Sequence, residues 1–207
     1  MARKPAHEQF DTLKAIQDRA FDLFGRYGYD GVSIGDISTA ARLSKGALYW
    51  HYASKEALYL ACLHRLHALF DSYIFEPMRK EPDPVAGVLA LFNGISRLLQ
   101  DPLVQNGIAG YWLVPDGPET AEPASSQRAF EARSVEVIRS VLARGIAVGR
   151  FDLGSDLDDM SRAIISIVEA VVLPLRYQTP EEVRRTLGVL ARTLFRAYDK
   201  GGLLPQF

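Results

Sequence analysis

Apolar residues recur at helical spacing along nearly the whole chain, and no stretch alternates between apolar and polar residues as a half-buried strand does. Near the start, Ile16, Ala20, Phe24 and Tyr27 mark one predicted buried face, and Gly28 is suited to end that helix in a left-handed conformation. The pattern predicts an all-α fold. Further helices are predicted near residues 57–80, 84–100, 102–113, 125–149, 156–173 and 180–199.

Capping signals set four of these helix starts. Asp83 and Asp101 are N-cap acids, and each is followed by a proline at the first helical position. Ser155 with Asp158 and Thr179 with Glu182 have the spacing of a capping box, in which each side chain accepts a hydrogen bond from an amide near the other residue. Helices are therefore expected to begin directly after these four capping residues.

The helices become short between residues 33 and 60. Ser33 and Asp36 have the spacing of a capping box that opens a helix ending near Ala41. A tight connection at Arg42 follows, and Ser44 then caps a second short helix. Two short helices joined by a tight turn, behind a longer first helix, are typical of a helix-turn-helix DNA reader.

Charge supports this interpretation only locally. The chain carries 24 Lys and Arg against 25 Asp and Glu, so any affinity for a polyanion must come from a local patch. Residues 37–55 contain basic side chains but no Asp or Glu. We therefore predict a helix-turn-helix DNA-binding domain at residues 1–56, followed by a helical domain at residues 57–207.

Residues 28–37, 43–52 and 54–58 closely resemble the TetR family of bacterial transcriptional repressors. They read GYDGVSIGDI, LSKGALYWHY and SKEAL. The resemblance implies a homodimer whose N-terminal domains bind a palindromic DNA operator. It also implies a C-terminal domain that dimerises and usually binds a small-molecule inducer. Binding of the inducer would favour a dimer whose reading helices no longer match successive major grooves.

The second short helix is predicted to have two sides. Leu48 and Tyr52 are i and i+4 neighbours on the buried side, which leaves the residues around Tyr49 on the other side. The resemblance assigns base-edge contacts to Lys45, Gly46 and Trp50. It assigns phosphate contacts to Tyr49, His51 and Lys55, and to Ser33 and Ser44 through their hydroxyls or the helix N-terminal amides.

Two residues depart from the family pattern. Gly35 stands where a longer residue, often Arg, commonly touches a base, so this helix is expected to carry less sequence information. Arg42 stands where the turn commonly has Gly. A left-handed backbone at Arg42 would cost about 1 kcal/mol. Both departures concern the operator sequence and leave the predicted fold unchanged.

The last two predicted helices carry more apolar surface than one neighbour can cover. This surplus predicts a dimer interface of two helices from each subunit. The alternative is that both apolar seams face the subunit's own core. The residues assigned to the interface are Ile164, Val168, Val171, Leu187, Leu190 and Leu194.

Aromatic residues from several predicted helices suggest a pocket for a small apolar or aromatic inducer. The alternative is that these side chains only fill a core, with Arg133 at the surface. If these side chains only fill a core, a different function follows. The protein would then be a DNA-binding dimer whose C-terminal domain serves only dimerisation or the binding of a protein partner. The residues assigned to the pocket are Phe70, Tyr73, Phe92, Tyr111, Trp112, Phe130 and Arg133.

The sequence gives little support for enzymatic or metal-binding chemistry. No catalytic triad, phosphate-binding loop or zinc-protease motif is present, so neither an enzyme nor a cofactor is predicted. His64, His67 and Asp71 share a helix face and could ligate a metal, although a solvated polar face is the commoner arrangement. Cys62 is the only cysteine, which excludes an intrachain disulfide. With no secretory signal or membrane span, we expect a cytoplasmic protein.

Overall fold

A computed structural model describes residues 6–172 and 179–202, without the side chains of residues 6–11, 168, 171, 172 and 180. The described part is all-α, as predicted, and its one extended pairing is an isolated bridge between Phe151 and Asp199. Its α-helices are α1 (Ala6–Tyr27), α2 (Ile34–Ala41), α3 (Lys45–His51), α4 (Lys55–Phe70), α5 (Glu76–Lys80), α6 (Pro84–Leu98), α7 (Ala121–Ala147), α8 (Leu157–Val172) and α9 (Pro180–Tyr198).

The chain divides into two compact units. The N-terminal unit comprises the described residues up to Leu66 together with Pro102–Gln127. The C-terminal unit comprises His67–Asp101 and the described residues from Arg128 onward. The functional boundary between residues 56 and 57 stays a prediction.

Helix α1 buries the face that its apolar spacing predicts, with one exception. Ile16, Ala20 and Phe24 are fully buried, and Gly28 ends the helix with a φ of 71°. Tyr27 is 59% exposed, so its predicted inward position is wrong. The chain turns back at Gly31 directly against the Tyr27 carbonyl, and the helix ends before another buried turn can form.

Aromatic rings form the core of the N-terminal unit. Phe21 lies 5.3 Å from Tyr111 between ring centroids, and Phe24 meets Tyr59 edge to face at 4.9 Å. The Tyr111 hydroxyl donates a hydrogen bond to the Phe21 carbonyl at 3.1 Å. Tyr29 packs edge to face on Tyr59 at 5.2 Å. These rings connect α1, the start of α4 and the segment around residue 111 into one core.

The α-helix predicted at residues 102–113 is absent. The Asp101 carboxylate accepts a hydrogen bond from the Tyr73 hydroxyl at 2.9 Å. Gly107 then adopts a φ of 99°. The backbone passes so close to α1 at Gly110 that no side chain would fit there. What forms is a short 3-10 turn, Ala109–Trp112.

The remaining helix predictions hold with shifted ends. The helix predicted at residues 57–80 forms as α4 and α5, joined by a π-turn at Asp71–Phe75. Asp83 caps α6 through the Val85 amide, and Thr179 and Glu182 form the predicted capping box of α9. The predicted helices at residues 125–149 and 156–173 are observed as α7 and α8. The capping box predicted for Ser155 and Asp158 is wrong, because the Asp158 amide donates to the Asp156 carboxylate instead. Local capping chemistry therefore predicted two of the four starts.

The end of α9 is fastened to the loop after α7. The Asp199 carboxylate is fully buried and lies 2.5 Å from Nε of Arg150. The Lys200 amide donates to the Arg150 carbonyl, and the Asp152 amide donates to the Tyr198 carbonyl. This ion pair and these two backbone hydrogen bonds hold the C-terminal end of α9 within the C-terminal unit.

Candidate nucleic-acid interface

The turn between α2 and α3 has the geometry of a helix-turn-helix. Arg42 ends α2 with φ 56° and ψ 42°, a left-handed conformation that is costly for a residue with a side chain. The Leu43 amide donates to the Ser38 carbonyl at 2.9 Å, which tightens the turn. Ser44 then caps α3 by accepting a hydrogen bond from the Ala47 amide. Arg42 therefore has the left-handed backbone for which the sequence predicts an energetic cost.

Helix α3 presents one apolar side chain inward and aromatic side chains outward. Leu48 is 1% exposed, whereas Tyr49 is 54% exposed and Trp50 is 69% exposed. Lys45 and Gly46 are also exposed. Large aromatic side chains are usually buried at least in part, so two neighbouring exposed rings on a short helix are an unusual surface feature.

Tyr52 supports α3 from its buried side. Its hydroxyl accepts a hydrogen bond from Nε2 of Gln17 at 2.8 Å, and the residue is half-buried. This bond ties the end of α3 to α1, so the exposed face of α3 is held on a fixed support.

His51 lies beside Trp50 at the end of α3. Their rings meet edge to face at 4.7 Å, and His51 is half-buried. Partial burial lowers the pKa of His51 below its ordinary value of 6.5, because desolvation disfavours the charged imidazolium. At neutral pH this side chain is therefore a neutral hydrogen-bond donor, which the sequence did not reveal.

The Ser33 hydroxyl, which is predicted to contact a phosphate, already has a hydrogen-bond partner within the chain. The Asp36 carboxylate accepts from the Ser33 hydroxyl at 2.6 Å and from the Ser33 amide at 2.8 Å. These hydrogen bonds lower the pKa of Asp36, so the carboxylate is ionised at neutral pH. A phosphate at Ser33 would have to open this capping box or approach the α2 amides beside a negative charge.

Gly35 makes room for Lys45. A Cβ added at Gly35 would lie 3.3 Å from Cε of Lys45 and 3.5 Å from its Nζ. The lysine side chain therefore lies across the first turn of α2, and its charge contributes to the lowered pKa of Asp36. The space that a longer side chain at position 35 would fill is occupied by the Lys45 side chain of α3. No local sequence signal indicates this arrangement.

Lys55 lies at the first turn of α4. Its Nζ is 4.0 Å from the centroid of the Tyr29 ring, and Tyr29 is only 5% exposed. Sequence reasoning missed Tyr29, because an aromatic residue in the loop before α2 looks like a simple core residue. The eight predicted DNA contacts thus lie on α3, at the starts of α2 and α4, and at Ser44.

The predicted ligand residues are divided between the two compact units. Phe130 lies in the C-terminal unit, where its ring stacks on His67 at 4.1 Å and meets Phe70 and Phe75 edge to face. Phe92 is 2% exposed in the same unit. Tyr73 also belongs to that unit, and the Arg133 guanidinium lies 5.8 Å from the Phe130 centroid.

Tyr111 and Trp112 lie in the other unit. Tyr111 is fully buried there against Phe21 and Tyr59. Trp112 follows Tyr111 in the same 3-10 turn and is half-buried.

The predicted dimer residues differ in exposure. Ile164 and Leu187 are buried by the chain's own side chains. Leu190 and Leu194 on α9 are half-buried, and the neighbouring Val189 is 55% exposed. The side chains of the two remaining interface residues, Val168 and Val171, lie outside the described residues.

The polar residues weighed as metal ligands have other contacts. His64 lies 3.1 Å from the Ser126 hydroxyl, and Asp71 pairs with Arg79 at 3.4 Å. Within the described residues, no group of three His, Cys, Asp or Glu side chains has a geometry that could hold a metal. Burial raises the pKa of Cys62 to about 12, so its thiol is not ionised at neutral pH.

Across the described ranges, no helix is both long enough and apolar enough to cross a lipid bilayer.

Comparison with known proteins identifies the segment that carries this site. Residues 16–62 match the sequence model described as "Bacterial regulatory proteins, tetR family". This segment is similar to the TetR family. The matched residues run from α1 through α3 into α4, so the similarity rests on the helix-turn-helix and its supporting helices.

Two curated relatives show how far the similarity extends along the chain. The chain is 41% identical over 59 residues to the HTH-type transcriptional regulator AcrR of Shigella flexneri, which covers 28% of this chain and 27% of AcrR. It is 25% identical over 184 residues to the HTH-type transcriptional regulator SrpR of Pseudomonas putida, covering 86% of this chain and 79% of SrpR. The chain thus spans about a quarter of the length of AcrR in the more similar alignment.

Solved structures share the fold of this chain at low identity. A TetR transcriptional regulator from Chloroflexus aurantiacus aligns with a TM-score of 0.77 at 23% identity, covering 93% of this chain and 98% of that one. CifR, complexed with 26bp double-strand operator DNA, aligns at 0.69 and 19% identity, covering 87% and 95%. SmeT in complex with triclosan aligns at 0.72 and 20% identity, covering 95% and 98%.

Proposed function

We propose that this chain is a DNA-binding transcriptional regulator of the TetR family, and that α3 is its reading helix. The observation that carries the proposal is the exposed pair Tyr49 and Trp50 on a helix that also carries the exposed Lys45. Residues 37–55 contain no acid that would repel a phosphate backbone. A short helix with exposed cations and aromatic side chains fits the major groove of a DNA duplex.

The division of labour along α3 follows from exposure. Gly46 has open space around it, because an added Cβ would meet only the Ser44 hydroxyl at 3.8 Å. The backbone can therefore approach base edges closely at this position, with Lys45 and Trp50 on either side. Tyr49, His51, Lys55 and the capping Ser33 and Ser44 contact the phosphates, which fix the register of the helix.

We infer a homodimer on a palindromic operator. Two reading helices must reach successive major grooves, which lie roughly 34–36 Å apart. The half-buried Leu190 and Leu194 and the exposed Val189 give α9 an apolar surface that a second copy can cover. The operator complex of CifR, which shares the fold, supports DNA as the partner.

The regulator acts as a repressor that a small apolar or aromatic inducer releases. SmeT, which shares the fold, is known in complex with triclosan, a ligand of this chemical class. In this chain the candidate walls are the aromatic residues of the C-terminal unit around Phe130. To shift DNA occupancy substantially, the inducer must favour the released arrangement by several kcal/mol. Such a regulator acts in the cytoplasm, where bacterial DNA lies.

Selection of bound duplexes from a random-sequence pool tests the DNA-binding function. The wild-type protein is expected to enrich a palindromic motif. Trp50→Ala is expected to lose the enrichment of particular bases while keeping its helical circular-dichroism spectrum. Tyr27→Ala is the matched control, because Tyr27 is also exposed, at 59%, but lies on α1. If the wild type enriches nothing, or if both variants lose selectivity equally, the proposal is wrong.

A DNA-binding dimer without an inducer is the second candidate. The packing of the predicted ligand residues favours it, because Phe70, Phe92 and Phe130 are each at most 8% exposed. Thermal-shift screening with small aromatic compounds separates the two. Compounds that raise the melting temperature and also release DNA support an inducer, whereas their absence from a broad screen supports this alternative.

A further inference from the structure

Lys55 occupies an unusual place for a cation. It is the first residue of α4, where Ser54 caps the helix by accepting a hydrogen bond from the Ala57 amide at 3.1 Å. A helix N-terminus carries partial positive charge, so an ammonium group is disfavoured there. Some other group must therefore stabilise the position of this side chain.

That group is the face of the Tyr29 ring. The Lys55 Nζ lies 4.0 Å from the ring centroid, well within the range of a cation–π contact. The ring itself cannot move far, because Tyr29 meets Tyr59 edge to face at 5.2 Å and stacks on Phe24 with centroids 6.4 Å apart. Tyr59 and Phe24 are fully buried. The flexible Lys55 side chain thus contacts a ring that the packed core holds in place.

We propose that Tyr29 is a positioning residue for DNA binding, which holds the Lys55 ammonium where a phosphate will meet it. The inference rests on the proposed function. An ammonium group has three N–H donors, and those that point away from the ring stay available to a phosphate oxygen. Because the side chain is already ordered, it loses less conformational freedom when the duplex binds. The contact with Tyr29 persists in the complex.

Fluorination of the ring tests this inference without changing its shape. Tyr29→Phe keeps the aromatic face, and incorporation of mono-, di- and trifluorophenylalanine at position 29 then weakens its negative face in steps. Affinity for a mixed-sequence duplex is expected to fall stepwise, by about two- to fivefold over the series. The same series in a Lys55→Ala background is expected to be flat. A phosphate contact acts on every sequence, so no operator is needed.

A second series and a second readout control the result. The same fluorinated residues at Tyr27, an exposed ring on α1, are expected to leave affinity unchanged. In the free protein, the Lys55 ε-methylene protons are expected to show an upfield ring-current shift that Tyr29→Leu abolishes. Melting temperatures of all variants report any loss of folding.

The outcomes separate the inference from the proposed function. A flat or rising affinity across the series at position 29 overturns the inference, and so does an equal fall in the Lys55→Ala background. If the wild-type protein binds no duplex at low salt, the proposed function itself fails. An absent ring-current shift in the folded wild type also overturns the inference.

Discussion

At the scale of single residues, Lys55 gives the most direct test of phosphate contact. Lys55→Ala should weaken binding to every duplex, because a phosphate contact carries no sequence information. The slope of log affinity against log salt should decrease in magnitude by about 1, as one fewer counterion is released. Titrations at several salt concentrations measure this slope. Lys80→Ala is the control, since Lys80 is an exposed lysine paired with Glu76 on α5. An unchanged slope in Lys55→Ala would remove Lys55 from the phosphate contacts.

His51 leads to a prediction about pH. Its pKa in the free protein is below 6.5, whereas a neighbouring phosphate favours the imidazolium. DNA binding therefore takes up a proton, and affinity should rise as the pH falls below 6.5. Folding has the opposite dependence: the unfolded chain binds the proton more readily, so this contribution to stability is lost over the same fall in pH. Fluorescence anisotropy across this pH range measures the first effect. His51→Gln should remove most of the rise, and an unaltered pH profile would contradict the phosphate contact.

The residue scale also shows where sequence reasoning reaches its limit. The exposure of Tyr49 and Trp50 was predictable, because helical spacing from Leu48 fixes which side chains share a face. The position of the Lys45 side chain beside Gly35 was not predictable, since residues of different helices meet only after the turn has folded. The same holds for Lys55 on Tyr29.

At the scale of elements, the turn between α2 and α3 stores strain at Arg42. Arg42→Gly should raise the free energy of unfolding by about 0.5–1 kcal/mol, because glycine adopts a φ of 56° without a Cβ clash but gains freedom in the unfolded chain. Denaturant unfolding measures the change. Arg42→Ala keeps the strain and also removes the charge, so it should show no such gain. Equal stability of the two variants would mean that the left-handed backbone is not strained.

Element boundaries were predictable where a cap is satisfied locally. The capping box of Thr179 and Glu182 needs only residues that are neighbours in sequence, and it forms as predicted. Asp101 carries an equally good local signal, but no α-helix follows it, because the chain turns at Gly107 with a φ of 99° and Gly110 packs directly against the backbone of α1. Long-range packing can therefore overrule a local start signal, and only the folded chain shows that it does.

At the scale of the whole molecule, the proposed dimer depends on the outer face of α9. Leu194 is half-buried in the single chain, so a charge there can remain solvated in a monomer but would be buried in a dimer without a partner. Leu194→Glu is expected to convert the dimer to a folded monomer, measured by sedimentation. Affinity for the selected palindrome should fall strongly, while affinity for a single half-site should change little, because each reading helix is intact but the second is no longer tethered.

Val148→Glu is the matched control, since Val148 is 70% exposed and lies just after α7. It adds the same charge to another apolar surface position and should leave both the mass and the preference for the palindrome unchanged. A Leu194→Glu protein that still sediments as a dimer would place the interface elsewhere on the chain. A wild-type protein that sediments as a monomer and still selects a palindrome would require that the duplex itself brings the two copies together.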